Sequence, residues 1–225
     1  MNKNCSYGLL LCTLIAGPVN AAIVTYTDPT AFNAAISGRS NSTLDFDSAA
    51  AGTTIANGGS LGGLSFVYDW GNGEQLEINN DNSTNSGSNY LGASSAGGGV
   101  DFVADGNNFT ITPDSSASAL GLYVITAIEA LDGDLRLVSG ANRVELVRPS
   151  LGTLADGSHV YFLGMVAAES QTVGSLTLEG DQFAFGLNYR VDGIQFSAQQ
   201  GVPEPSSFLV VLGVGATIFR RRRHR

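Results

Sequence analysis

Beyond its first dozen residues the chain contains no cysteine, because Cys5 and Cys12 are the only two. The remainder therefore forms no disulfide, thiolate metal site or cysteine nucleophile. Lysine is scarcer still, with Lys3 alone, and histidine is limited to His159 and His224. No H-E-x-x-H, Walker loop or dinucleotide fingerprint stands outside the apolar run near the C-terminus. Gly58-Gly59-Ser60-Leu61-Gly62 fits the G-x-S-x-G pattern, but a loop precedes it and a strand pattern follows. A nucleophile elbow needs a strand before and a helix after. His159 follows the turn residues Asp156-Gly157-Ser158 and reads as a strand-edge histidine rather than a catalytic base.

Basic residues are confined as sharply. Of the 11 Lys and Arg, only Arg39, Arg136, Arg143, Arg148 and Arg190 lie between residues 22 and 201, together with all of the 20 Asp and Glu except Glu204. A stretch this acidic repels a phosphate backbone, which argues against nucleic-acid binding. Calcium, cationic surfaces or solubility account for it better.

The two ends read as processing segments. Lys3, the apolar stretch Leu9 to Ala16, the Gly17-Pro18 break and the small exit Val19-Asn20-Ala21 make a secretory signal peptide over residues 1–21, a signal-peptidase substrate with cleavage after Ala21. At the other end, residues 206–219 are uncharged. As a helix they span about 21 Å, short of the roughly 30 Å hydrocarbon layer. The arginines that follow, Arg220, Arg221, Arg222 and Arg223, can snorkel to headgroups and favour the cytoplasmic side. The run is thus read as one transmembrane helix with the domain outside.

Between the ends lies a stretch suited to one self-sufficient core, residues 22–201. Ile23 to Thr27 has strand composition, and Asp28-Pro29 opens a short helix through Phe32 and Ile36. In Thr43-Leu44-Asp45-Phe46-Asp47 alternation sets both aspartates on the face opposite Leu44 and Phe46. Ala49 to Gly63 reads as a long loop, and so does Asn79 to Gly99. Further strands are expected at 64–68, 75–78, 100–103, 109–112, 119–125, 135–138, 143–148, 159–164, 173–178, 183–185 and 189–196, with 100–103 and 109–112 forming a hairpin. Many short strands with little helix imply an all-β, antiparallel β-sandwich, preferably jelly-roll-like. A β-propeller lacks the blade-length repeat, and a parallel β-helix would need coils of similar length that are not visible.

Val202-Pro203-Glu204-Pro205, the apolar run and the cluster Arg220-Arg221-Arg222-Arg223, in that order, resemble the PEP-CTERM sorting signal of exported bacterial proteins, over residues 202–225. The resemblance implies an exosortase that recognises Pro203-Glu204-Pro205 and removes the tail. It also implies an envelope that makes exopolysaccharide, and a protein held in the membrane until processed, then at the cell surface or in the extracellular matrix. More loosely, Leu44 to Asp47, Ala119 to Leu122 and Tyr189 to Phe196 also resemble members of that group.

Two side-chain constellations are chemically suggestive. Asp45, Asp47 and Asp192 sit on early and closing strands that a jelly roll can bring together, and carboxylates with loop carbonyls suit a structural calcium. The alternative is that they are solvated positions on a polar strand face. Tyr68, Trp70 and Tyr90 stand beside the Asn/Ser-rich loop, where flat rings next to amides hold sugars; the alternative is that Trp70 plugs a core edge. No other cofactor is expected. The leading expectation is a non-catalytic structural or adhesive sandwich. The alternatives are a carbohydrate-binding module for exopolysaccharide and, less favoured, a secreted glycoside hydrolase with paired carboxylates. The calcium reading requires a rise in melting temperature on adding calcium that EDTA reverses, and an unchanged melt excludes it.

Overall fold

The computed structural model describes residues 23–71, 73–94, 103, 106–168, 171–180 and 187–198. The signal peptide, the 206–219 run, the expected strand at 183–185 and most of that at 100–103 lie outside these residues. So do all the sorting-signal positions named from the sequence, Pro203, Glu204, Pro205, Arg220, Arg221, Arg222 and Arg223. In chain order the elements are β1 (Ile23–Tyr26), α1 (Pro29–Ala35), β2 (Asn41–Leu44), β3 (Thr54–Ile55), β4 (Ser60–Leu61), β5 (Leu64–Tyr68), β6 (Leu76–Asn79) and β7 (Tyr90–Ala93). They continue with β8 (Phe109–Pro113), β9 (Ala117–Thr126), β10 (Leu135–Ser139), β11 (Asn142–Glu145), β12 (Gly152–Thr153), β13 (His159–Ala167), β14 (Leu176–Gly180) and β15 (Tyr189–Ala198). Among the described residues no helix is long and apolar enough to cross a membrane.

The strands form two antiparallel sheets. One runs β1-β13-β9-β15-β7-β6-β3, with β12 added on β13 and β2 on β15. The other runs β11-β10-β14-β8-β5-β4. Alternation turns one face of each inward. Leu120, Leu122, Val124, Leu163, Val191 and Ile194 from the first sheet belong to the same buried cluster as Phe66, Phe109, Ile111, Leu137 and Leu178 from the second. An all-β sandwich is therefore the architecture.

The outer face of the larger sheet is also covered. At one part of it α1 lies across β9 and β13, starting where expected: the Asp28 carboxylate accepts the Thr30 N–H at 2.8 Å, with Pro29 in the first turn. Phe32 drops onto Gly121 and Gly164, which face each other across β9 and β13. A Cβ on Gly164 would lie 2.7 Å from the Phe32 ring and 2.8 Å from Phe162. Phe32 and Phe162 are themselves tilted against each other at 5.1 Å. The two glycines thus form a slot that fits an aromatic ring.

Several expectations require correction. The Thr43–Asp47 strand ends at Leu44, because Phe46 takes a positive φ of 65°, which breaks the extended backbone. The 79–99 loop contains β7, a wholly buried strand hydrogen-bonded to β6. Among the described residues Val103 does not pair with Phe109–Pro113 as the expected hairpin requires. Phe109–Pro113 pairs with β5 and β14, and Val103 bridges Tyr189. Two-residue strands, β3 and β4, interrupt the 49–63 loop.

Filling the slot should cost stability. Gly164→Ala is expected to destabilise by about 1–3 kcal/mol through overpacking against Phe32 and Phe162. The same substitution at Gly152, where nothing lies within 4 Å, serves as control. Equal urea midpoints for the two variants would show that the slot is not tightly packed.

Candidate functional site

The chemistry of the larger sheet concentrates on the outer face of β15. Tyr189, Val191 and Ile194 point into the sandwich core, so the period-two alternation sends Arg190 and Asp192 to the other side. Charged residues there should be solvated, yet both are fully buried, with no exposed surface. The segment joining β6 to β7, residues 80–89, lies across them.

That loop is held by carboxylates from three separate elements. Asp156, in the turn before β13, accepts the Ser83 N–H at 3.0 Å. Asp192 accepts the Ser86 N–H at 2.7 Å and the Ser86 hydroxyl at 3.1 Å. Asp47 accepts the N–H groups of Ser88 at 2.8 Å and Asn89 at 2.9 Å. The left-handed turn at Phe46 brings Asp47 to this position, and the Asp45 carboxylate accepts the Asp47 N–H at 3.2 Å. Gly87 passes so close that a Cβ there would lie 1.5 Å from Asp47 Oδ2, and its φ of 61° suits glycine.

Arg190 supplies the cationic counterpart. Its Nη2 donates to Asp156 at 3.0 Å, and Nε and Nη2 both donate to the Ser83 carbonyl. Its guanidinium carbon stands 5.3 Å from the centre of the Tyr90 ring, in cation–π range. The Tyr90 hydroxyl in turn accepts from the Asn82 amide at 2.8 Å.

Burial sets the electrostatics. It pushes the Asp192 carboxyl up to about 6, against the donors of Ser86 and the Asn85 backbone, and the negative charge of Asp47 adds to the rise. Burial also acts to raise Asp156, but N–H donation from Ser158 and Ser83 and the charge of Arg190 outweigh it and hold that carboxyl below its ordinary range. Burial draws Arg190 down, with Asp156 opposing. Tyr123, paired across from Asp192 on β9, is raised by burial and then by the Asp192 charge.

The constellations expected from sequence fare differently. Asp47 and Asp192 do meet at one loop, but as acceptors for its N–H groups. Asp192 is buried rather than on a solvated strand face, and Asp45 serves the turn at Phe46. Among the described residues no group of three or more His, Cys, Asp and Glu side chains is arranged to hold a metal ion. Tyr68, Trp70 and Tyr90 form no common face for a sugar. Tyr68 and Trp70 stack at 4.6 Å inside the core, with the tyrosine hydroxyl on the Ile55 carbonyl and the indole N–H on the Asn108 carbonyl. Tyr90 is buried under Arg190 instead. Ser60 lies on β4 with its hydroxyl 2.8 Å from that of Ser65, so the G-x-S-x-G match makes no nucleophile elbow. His159 sits half-buried at the start of β13. Arg190 and Asp156 were not foreseen; the signal was two charges, Arg190 and Asp192, within an otherwise apolar strand pattern.

No protein-family model matches the sequence, and no curated protein is significantly similar to it. Among solved structures, the K2 cleaved adhesin domain of Lys-gingipain is 14% identical with a TM-score of 0.42, over 70% of this chain and 99% of that one. The catalytic domain of a GH87 α-1,3-glucanase, in complex with tetrasaccharides, is 11% identical with a TM-score of 0.30, over 69% and 30% of the two chains. At these levels neither neighbour bears on the chemistry of this chain.

The anchoring of the loop is open to test through Gly87. Gly87→Ala should destabilise by about 2–4 kcal/mol, combining positive-φ strain with displacement of the Asp47 carboxylate. Gly133→Ala, with a φ of 86° but open space around it, isolates the backbone part, about 1 kcal/mol. Equal losses of melting temperature would mean that Asp47 does not hold the loop.

Proposed function

We propose that this chain is an exported, exosortase-sorted protein of the cell surface or extracellular matrix, whose sandwich is a non-catalytic structural or adhesive unit. The observation that carries the reading is the placement of the two ends of the fold. Ile23 pairs with Ala167, and Ala198 pairs with Ala117, on neighbouring strands of one sheet. Because Val166 also pairs with Ala119, both positions lie at the same end of the sandwich. A signal peptide over residues 1–21 and a sorting tail over 202–225 would therefore leave from one side. A tail held in the membrane by the 206–219 run, with Arg220, Arg221, Arg222 and Arg223 on the cytoplasmic side, would tether the domain by that end alone.

The opposite end, where Thr126 pairs with both His159 and Tyr189, carries the loops 127–134 and 146–158. At 3.3 Å per residue the ten residues of β9 set it about 33 Å from the tether. Its loops expose Ile128, Leu131, Val147 and Leu151, each about half accessible. An outward-facing end with exposed apolar side chains supports an adhesive role.

The strand order supports the finer topology as well. From β7 to β15 the chain crosses between β7-β15-β9-β13 in one sheet and β8-β14-β10-β11 in the other, staying in one sheet at the β10–β11 and β12–β13 pairs, an order that a jelly roll shares. A sugar-binding reading would need residues other than Tyr68, Trp70 and Tyr90. Among the described residues a concavity of about 240 Å³ is lined in part by Thr112, Asp114, Ser115, Ser116, Thr172 and Ser175, with no aromatic platform.

Intact-mass measurement of the protein recovered from the producing cells tests sorting directly. The expected mass lacks residues 1–21 and everything after the Pro203 region, whereas a retained 206–225 segment would overturn the reading. For the adhesive end, Leu131→Ser with Leu151→Ser is expected to weaken binding to isolated matrix about tenfold while leaving the melting temperature unchanged. Undiminished binding would remove this end from the account.

A further inference from the structure

The loop across β15 buries a carboxylate that would be hydrated if the loop lifted. We propose that residues 82–89 form a pH-dependent strap, held more firmly against the outer face of the larger sheet in mild acid and loosening toward neutrality as Asp192 becomes charged. The inference is independent of where the protein is sorted.

Asp192 has no exposed surface, and the donors it receives come from the strap itself, from the Ser86 backbone and hydroxyl. Lifting the strap thus removes the hydrogen bonds and the burial together. A charged carboxylate gains water in that event, whereas a neutral one has little to gain. The β-bulge between Asp192 and Gln195, with Gly193 at a φ of 61°, fixes the carboxylate under the strap independently of the loop's own conformation.

The groups facing Asp192 from each side fix the direction. Asp47, from the turn after β2, supplies a second negative charge across the strap and disfavours charge on Asp192. Tyr123 faces it from β9, and Arg190 lies two residues away on the same strand, paired with Asp156 and packed on Tyr90. Asp156 is held below the ordinary carboxylate range, Tyr123 is raised above the ordinary phenol value, and a guanidinium stays protonated, so these three keep their charge between about pH 5 and pH 7.5.

With the strap closed, Asp192 titrates at about 6; with it open, the hydrated group returns toward 3.8. The closed form therefore binds more protons through this window, and the linkage relation makes opening more frequent as pH rises through it. Above about pH 7 the effect levels off. Opening uncovers Asp192 and the Arg190–Tyr90 pair, groups that the closed strap withholds from solvent.

Amide hydrogen exchange on the intact protein, corrected for the intrinsic pH dependence of exchange, provides the test. Protection at Ser86, Ser88 and Asn89 is expected to fall about tenfold between about pH 5 and about pH 7.5. In Asp192→Asn the same amides should show no pH dependence in this window. Constant protection in the wild type, or a rise toward neutrality, overturns the proposal, as does an unchanged slope in Asp192→Asn. Should that variant not fold, Asp47→Asn serves instead. Removing the like charge should move the midpoint of the protection change to lower pH, and an unmoved midpoint overturns the assignment.

Discussion

The pairing of buried Arg190 and Asp192 with the loop that covers them is the constraint on which much of the larger sheet depends. β15 is central to that sheet, flanked by β9 on one side and by β2 and β7 on the other. A central strand with two ionisable groups on its outer face is stable only if something dry and polar covers them. The 80–89 segment does so with backbone N–H groups, the Ser86 hydroxyl and one carbonyl rather than with opposing side-chain charges. That requirement explains why β7 follows directly: once Ser88 and Asn89 are fixed on Asp47, Tyr90 enters the sheet beside β15.

The other part of the same face is covered by apolar means. Phe32 from α1 fills the slot over Gly121 and Gly164, next to Phe162 and Tyr123. One outer face thus carries an aromatic seal toward the end where Ile23 and Ala198 lie and a polar seal further along. Neither is part of the main core, and each ties a local segment to strands that are distant in sequence.

The fold was legible wherever local pattern and tertiary role agreed. Asp28-Pro29 announces α1 because a cap and a rigid first turn act within a few residues. The strands expected at 135–138 and 143–148 are found at Leu135–Ser139 and Asn142–Glu145, paired antiparallel, because alternation and turn chemistry coincide there. β7 was hidden because Tyr90-Leu91-Gly92-Ala93 is short, does not alternate and is half small residues, so its stability comes from neighbours and not from its own pattern. The Phe109 strand was found but misassigned to a hairpin, since pairing partners depend on sheet order rather than on local turn signals. For the site, sequence pattern identified Asp47 and Asp192 as associated but not what they hold. Backbone N–H groups carry no residue identity, so a loop that binds through its main chain leaves no motif. Tyr68 and Trp70 looked like a binding platform because exposure cannot be read from composition.

The buried guanidinium of Arg190 and the carboxylate of Asp156 act as one unit in seating this loop. A double-mutant cycle measures it most directly, with urea unfolding of the wild type, Arg190→Gln, Asp156→Asn and the double variant. A coupling of about 1–2 kcal/mol is expected, with the double variant little worse than Arg190→Gln alone. Additive losses, with a coupling near zero, would contradict it.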